Sequence, residues 1–263
     1  MLTREELIEI SRATGLKPFQ QEKHYVQTLA LRLIYSEIAT ELVFKGGTAL
    51  WFFHGLNRFS NDLDFTVTGE VDLERLMENV RRGFAALNFP IHVKKTGDDR
   101  VSFSFRIGVE GPLFTREIER CFVGFEISRR EKVIKAPRTV EVDPPYPDIL
   151  PFTIFVMDPE EICAEKVRAI LTRNYARDLY DLWFLLRKNV RARKDLVDEK
   201  LSYYGKKFEI GEFRQRLEKM EEYWESELKP LILGRLPDFK TVEREVLAGL
   251  KSFVATPGSP QSS

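Results

Sequence analysis

Two aspartates separated by a single residue, Asp62 and Asp64, constrain what this chain can fold into more than any other feature. They follow an apolar run, a glycine-rich turn and a polar segment in the sequence FKGGTALWFFHGLNRFSNDLDF. Because side chains alternate along a β-strand, a strand over residues 62–67 places both aspartates on one face and Leu63 and Phe65 on the other. Two adjacent carboxylates repel each other unless a cation lies between them. Paired carboxylates at a strand end, near a turn suited to phosphate, are typical of a site for Mg²⁺ and a nucleotide.

Each part of this segment has an ordinary structural explanation when taken alone. Solvent-facing strand positions often carry Asp, and Gly-Gly marks many turns between a strand and a helix. The combination favours a nucleotide site, because the turn follows a predicted strand directly and the polar residues before the aspartates keep their alternation. The residues of this combined pattern are Gly46, Gly47, Thr48, Arg58, Ser60, Asp62 and Asp64, the last four of which are predicted to share one strand face.

The segment resembles two motifs of the AbiEii/AbiGii toxin family, a branch of the DNA polymerase β-like nucleotidyltransferase superfamily. Its GG[ST] turn is matched by residues 46–48, and its R-x-S-x-D-x-D motif is matched by residues 58–64. Two further family motifs lie downstream in the same order. An A-x-K-x-x-A helix is matched around Lys166, and an R-D-x-x-D helix is matched at Asp178 and Asp181.

The resemblance implies a nucleotidyltransferase that transfers a nucleoside monophosphate from an NTP to an acceptor hydroxyl, with Mg²⁺ or Mn²⁺ as cofactor. It also implies the toxin of a toxin–antitoxin pair, with tRNA as the expected acceptor and a cognate antitoxin as a protein partner. Two alternatives stay open at this point. The acceptor could be a protein side chain, as in an AMPylator-like enzyme, or the chain could be a nucleotide- or antitoxin-binding module without turnover.

The motifs assign roles to individual residues. Asp62 and Asp64 are the expected metal ligands and catalytic residues, and Glu126 is the candidate for a third ligand, because a strand over residues 123–128 places it on the polar face. An ordinary solvent-facing position is the alternative for Glu126. The expected nucleotide-binding residues are Gly46, Gly47, Thr48, Arg58, Ser60 and Lys166.

The downstream motifs carry an alternative of their own. Lys166 falls on the apolar stripe of its predicted helix, where it either extends to solvent or answers a negative charge. Lys166, Asp178 and Asp181 are expected to be catalytic, although the residues alone do not decide between the two aspartates. Buried carboxylates need partners, so the alternative is a structural ion network with Arg168, Arg173 or Arg177.

Composition and periodicity set the frame around these motifs. The 263 residues carry 41 basic and 41 acidic side chains, so no overall charge indicates a polyanionic partner, although a local groove can still be basic. A run of five cations within residues 187–194, here called the basic segment, is the strongest local basic cluster. It could follow an RNA backbone, and a solvated surface is the alternative.

The predicted fold class is α+β. Residues 1–157 are expected to form a mixed sheet with flanking helices, which the resemblance implies is polymerase β-like. Residues 158–253 are expected to form a helical region, which by the same resemblance completes the active site, and residues 254–263 a disordered tail. A Pro-rich bridge separates the strands before residue 143 from a strand at 152–157. Cys121 and Cys163 fit neither a disulfide framework nor zinc spacing. No signal peptide or membrane span is evident, and a cytoplasmic location is expected.

Overall fold

The computed structural model describes residues 1–253, which divide into two compact units. The first unit comprises Met1–Gly55 and Phe59–Asp158, and the second comprises Leu56–Arg58 and the chain from Pro159 onwards. The three residues 56–58 therefore belong to the second unit, although the predicted boundary assigned them to the first. The predicted tail at 254–263 lies outside the described residues.

Four helices of the first unit are α1 (Arg4–Thr14), α2 (Pro18–Tyr35), α3 (Gly46–His54) and α4 (Leu73–Ala86). Local sequence explains their starts. A capping box between Thr3 and Glu6 begins α1, and the Asp72 carboxylate caps α4 by accepting a hydrogen bond from the Arg75 N–H group. Helices α2 and α4 pack against each other and contact strands of the sheet.

The sheet of the first unit is mixed and has seven strands, as the α+β prediction requires. The strands are β1 (Leu42–Lys45), β2 (Leu63–Val67), β3 (Ile91–Asp98), β4 (Ser102–Val109), β5 (Cys121–Ser128), β6 (Arg138–Val142) and β7 (Phe152–Val156). Their order across the sheet is β3-β4-β5-β2-β1-β7-β6. Strand β2 runs antiparallel to β1 and parallel to β5, so three strands that are distant in sequence lie side by side at the centre.

The strand register separates an apolar face from a polar one. Phe44, Phe65, Ile127 and Phe103 are paired across four neighbouring strands, and all four side chains are buried. The next row along the same strands consists of Lys45, Asp64, Glu126 and Ser104. Paired residues point to the same face of a sheet, and successive residues point to opposite faces. Asp64 and Glu126 therefore lie on the polar face, and the row of buried apolar side chains packs into the core on the opposite face.

The second unit is helical in its described part. Its helices are α5 (Pro159–Thr172), α6 (Ala176–Arg187), α7 (Lys194–Ser202), α8 (Ile210–Met220), α9 (Trp224–Leu228) and α10 (Phe239–Gly249). Helix α5 packs against α6, α7 and α8, and α6 also contacts α9 and α10. This central position explains why α5 and α6 are almost entirely buried. No helix within residues 1–253 has the length and apolar character needed to span a membrane.

Candidate active site

The acidic residues of the first unit meet where β2 and β5 run side by side. Asp64 and Glu126 are direct partners in the parallel register of these strands. The Asp62 side chain reaches the same strand, because its Oδ1 atom accepts a hydrogen bond of 3.1 Å from the Gly124 N–H group. The structure therefore brings Glu126, predicted as the third acid, next to the Asp-x-Asp pair on one polar face. Glu126 and Asp62 are exposed, and Asp64 is half-buried.

Two glycines leave the room that the aspartate side chains occupy. Gly46 has a φ of 76°, and a Cβ atom at this position would lie 2.3 Å from the Asp64 Oδ2 atom. A Cβ atom on Gly124 would lie 2.7 Å from the Asp62 Oδ1 atom. Both distances are far below van der Waals contact, so only glycine is compatible with these carboxylate positions. Gly46 is thus required twice, by its left-handed backbone and by its closeness to Asp64.

The carboxylate chemistry of this face fits a hard divalent cation. Mg²⁺ and Mn²⁺ prefer oxygen ligands, and Asp62, Asp64 and Glu126 offer them from two adjacent strands. One oxygen of Asp62 is held by the Gly124 N–H group, whereas its Oδ2 atom has no hydrogen-bond partner within residues 1–253. In the same described range, no group of three or more His, Cys, Asp or Glu side chains is already arranged as a metal site.

Lys45 is a site residue that the motif analysis missed. It ends β1 directly before the glycine turn, is paired with Asp64 in the antiparallel register, and is only 8% exposed. Its side chain therefore points to the same face of the sheet as Asp64 and Glu126. The signal available in the sequence was position alone: Lys45 is the charged last residue of an otherwise apolar strand.

Thr48 differs from its expected environment. Its side chain is fully buried and donates a hydrogen bond to the main-chain oxygen of Asp62. The hydroxyl group therefore contacts the segment that carries the aspartates. Gly47 is also buried, in the first turn of α3.

Arg58 and Ser60 do not lie on the predicted strand face. Strand β2 begins at Leu63, and both residues precede it with buried side chains. Arg58 forms an isolated antiparallel bridge with Ile232, and its Nε and Nη2 atoms donate two hydrogen bonds of 2.9 Å each to Asp181. The physical reason for the difference is this bidentate pair, since a buried guanidinium is stable only when a carboxylate compensates its charge.

Lys166, Asp178 and Asp181 form one buried ion network with Arg58 inside the second unit. The Lys166 Nζ atom lies 2.9 Å from Asp178 and 2.8 Å from Asp181. Asp178 is also held by the Arg173 guanidinium, at 2.8 and 2.9 Å. Both aspartates are fully buried, whereas the side chain of Arg173 is 46% exposed. Of the three arginines considered as partners, Arg173 pairs with Asp178, whereas Arg177 lies 4.0 Å from Glu227 and Arg168 stacks on Tyr204.

The network determines which charges these residues carry. Burial by itself raises the pKa of Asp178 and Asp181, but the neighbouring cations outweigh burial and lower both pKa values below their ordinary range. Burial likewise disfavours the charged form of Lys166, yet Asp178 and Asp181 leave its pKa raised. All three side chains are consequently ionised at neutral pH, and Lys166 answers buried negative charge as one sequence-based alternative proposed.

The basic segment is not a single helical face. Helix α6 ends at Arg187, a loop follows, and α7 begins at Lys194. Arg193 forms an ion pair with Asp195, and Lys194 lies 2.5 Å from Asp198. Arg191 has no acidic partner in the described part of the chain and lines a cavity of about 490 Å³. Only part of the predicted cationic cluster is therefore compensated by acids.

Both cysteines are buried free thiols, as their spacing indicated. Burial raises the pKa of each thiol to about 12, so neither is a thiolate nucleophile or a ready metal ligand at neutral pH.

The fold is shared with solved structures, among them a nucleotidyltransferase toxin. MenT4, the nucleotidyltransferase toxin Rv2826c from Mycobacterium tuberculosis H37Rv, is 20% identical, with a TM-score of 0.63 and coverage of 97% of this chain and 91% of the other. JHP933 from Helicobacter pylori is also 20% identical, with a TM-score of 0.57 and coverage of 89% and 90%. Among curated proteins, none matches this chain significantly.

The sequence itself matches the family model described as nucleotidyl transferase AbiEii toxin, type IV toxin–antitoxin system, over residues 28–245. This range includes the glycine turn, Asp62, Asp64, Glu126 and the buried ion network, and it covers most of both units. The chain belongs to the AbiEii family of nucleotidyltransferase toxins.

Proposed function

We propose that this toxin binds a divalent cation, Mg²⁺ or Mn²⁺, at Asp62, Asp64 and Glu126 and transfers a nucleoside monophosphate from an NTP to a hydroxyl group of tRNA. The observation that carries the proposal is the register of β2 with β5. It places Asp64 beside Glu126, and the Gly124 N–H group draws Asp62 to the same strand. Three carboxylates on one polar face accumulate negative charge that a bound cation offsets.

Different residues of the first unit would bind the cation and the triphosphate. The carboxylates hold the cation, and the first N–H groups of α3, which begins at Gly46 and Gly47, are donors suited to triphosphate oxygens. A divalent cation bound there lowers the pKa of an attacking hydroxyl group and offsets charge on the phosphates. Lys45, in register with Asp64, adds a fixed positive charge to the same row.

The catalytic role of Lys166, Asp178 and Asp181 and the nucleotide contact of Arg58 stay predictions. Their ion pairs support an alternative in which they hold α5 and α6 together. Lys166→Met separates the two roles. Because Lys166 is paired with two buried aspartates, the variant should lose stability in either case. A phosphate contact predicts weaker NTP binding by the folded variant as well, whereas a purely structural role predicts normal NTP affinity.

The proposed function is tested by incubating the protein with labelled NTPs, total RNA and Mg²⁺, and then separating RNA from protein. We expect label in the tRNA fraction with the natural protein and none with Asp64→Asn. Glu141→Gln is the matched control, because Glu141 is an exposed carboxylate on β6 of the same sheet. It should retain full transfer.

The other outcomes of this assay are equally informative. Label in the protein fraction would replace tRNA with a protein side chain as the acceptor. Absence of label in every fraction, with each NTP and with Mg²⁺ or Mn²⁺, would leave a binding module without turnover. Equal transfer by Asp64→Asn and the natural protein would refute the metal site. The family also implies an antitoxin partner. A cytoplasmic location is part of the same proposal, because NTPs and tRNA are both present there.

A further inference from the structure

The segment that leads into β2 is held at two main-chain oxygens by side chains from two different helices. Gln27 of α2 donates a hydrogen bond of 3.1 Å from its Nε2 atom to the main-chain oxygen of Ser60. Thr48 of α3 donates from its hydroxyl group to the main-chain oxygen of Asp62. Both donor side chains are fully buried. The two bonds thus fix alternate residues of a segment that has no strand partner of its own at these positions.

This arrangement bears directly on the Asp62 carboxylate. Asp62 lies one residue before the first residue of β2, so the ladder that fixes Asp64 does not reach it. Within residues 1–253, its side chain has a single hydrogen bond, from the Gly124 N–H group. The direction of the carboxylate therefore depends on the main chain at Asp62, and that main chain is held by Thr48 on one side and through Ser60 by Gln27.

We propose that Gln27 and Thr48 are positioning residues, which lock the main chain at Ser60 and Asp62 and thereby direct the Asp62 carboxylate towards the bound cation. Thr48 then acts through Asp62 and makes no contact with the nucleotide. The role of Gln27 lies outside every motif of the sequence. We call the two hydrogen bonds, from Gln27 to Ser60 and from Thr48 to Asp62, the clamp. The inference rests on the proposed metal site, but the clamp itself can be tested separately.

The clamp is tested with Thr48→Val, which keeps the side-chain volume and removes the donor, and with Thr48→Ser, which keeps the donor. Gln27→Met is the corresponding variant for Ser60. For Thr48→Val and Gln27→Met we expect a loss of about tenfold or more in Mn²⁺ affinity, measured by electron paramagnetic resonance on the full chain. The KM for NTP at saturating Mn²⁺ should stay unchanged. Thr48→Ser should retain the natural affinity.

Three results would overturn the clamp. Natural Mn²⁺ affinity in Thr48→Val and Gln27→Met would show that neither bond positions Asp62. An equal loss in Thr48→Ser would assign the effect to packing of the threonine methyl group. A raised KM for NTP with unchanged Mn²⁺ affinity would make Thr48 a nucleotide ligand, as its motif first indicated.

Amide hydrogen exchange separates failure of the clamp from failure of the proposed function. If the natural protein binds no Mn²⁺, the metal site is wrong, but exchange at Leu63 and Asp64 still reports on the clamp. Exchange there should be faster in Thr48→Val than in Thr48→Ser. Equal exchange in the two variants would overturn the clamp whether or not a metal binds.

Discussion

Replacing Asp181 with Asn should strongly destabilise the second unit. Asp181 is fully buried and compensates the Arg58 guanidinium, which is 3% exposed, as well as sharing Lys166 with Asp178. The amide removes the negative charge but keeps the shape, so the buried Arg58 guanidinium loses its bidentate anionic partner. Breaking a buried ion pair from one side costs about 3–5 kcal/mol. Because Lys166 keeps Asp178, we expect about 3 kcal/mol.

Urea unfolding followed by tryptophan fluorescence measures this loss, since Trp183 and Trp224 both lie in the second unit. The matched control is Glu225→Gln, which removes a carboxylate from the exposed pair with Lys229. Exposed pairs of this kind contribute less than about 0.5 kcal/mol, so the control should unfold like the natural protein.

A double variant shows whether the loss comes from the unpaired guanidinium. Arg58→Met together with Asp181→Asn removes both charges and leaves Lys166 paired with Asp178. We expect the double variant to lose about 2 kcal/mol less than the sum of the two single variants, within the range of coupling between contacting residues. Additive losses, or an Asp181→Asn variant as stable as the Glu225→Gln control, would refute the reasoning.

Three further expectations follow from the same geometry. Gly46→Ala should abolish transfer and destabilise the fold, because its Cβ atom would overlap Asp64. Gly15→Ala is the control for backbone strain alone, since Gly15 has a φ of 75° and no atom within 4 Å of a Cβ position. It should lower the free energy of unfolding by about 1–2 kcal/mol and keep full activity. The pKa of Asp181 is lower in the folded chain than its unfolded value of about 3.9, so its ionised form stabilises the fold above that pH and this stabilisation is lost as the pH falls further. The free energy of unfolding should therefore depend less steeply on pH in Asp181→Asn than in the natural protein. Identical slopes would contradict the direction of the pKa shift. Replacing the cations of the basic segment with Gln should weaken RNA binding and flatten its salt dependence while NTP affinity is retained, and an unchanged salt slope would mark the segment as an ordinary solvated surface.

Motif spacing and alternation predicted a large part of the first unit. The glycine turn before a short helix and the positions of Asp64 and Glu126 on the polar faces of their strands all depend on local periodicity, which a sequence displays directly. Strand β6 was not predicted, because it has only five residues, ends directly before the Pro-rich bridge and pairs antiparallel with β7, which follows it in the chain. Its pairing is completed by β7 and therefore leaves little trace in the sequence of β6 itself.

The sequence by itself therefore determined the family, the α+β class and the acidic residues of the candidate site, since these follow from motifs and from a period of two. Only the tertiary structure decided what Arg58, Thr48 and Lys166 contact. Arg58 was predicted on a strand face but is buried against Asp181, and Thr48 donates to the Asp62 main chain. The physical reason is that a buried charge or hydroxyl group must find a partner. That partner lies 14 residues away for Thr48 and 123 for Arg58, at distances that only folding brings together.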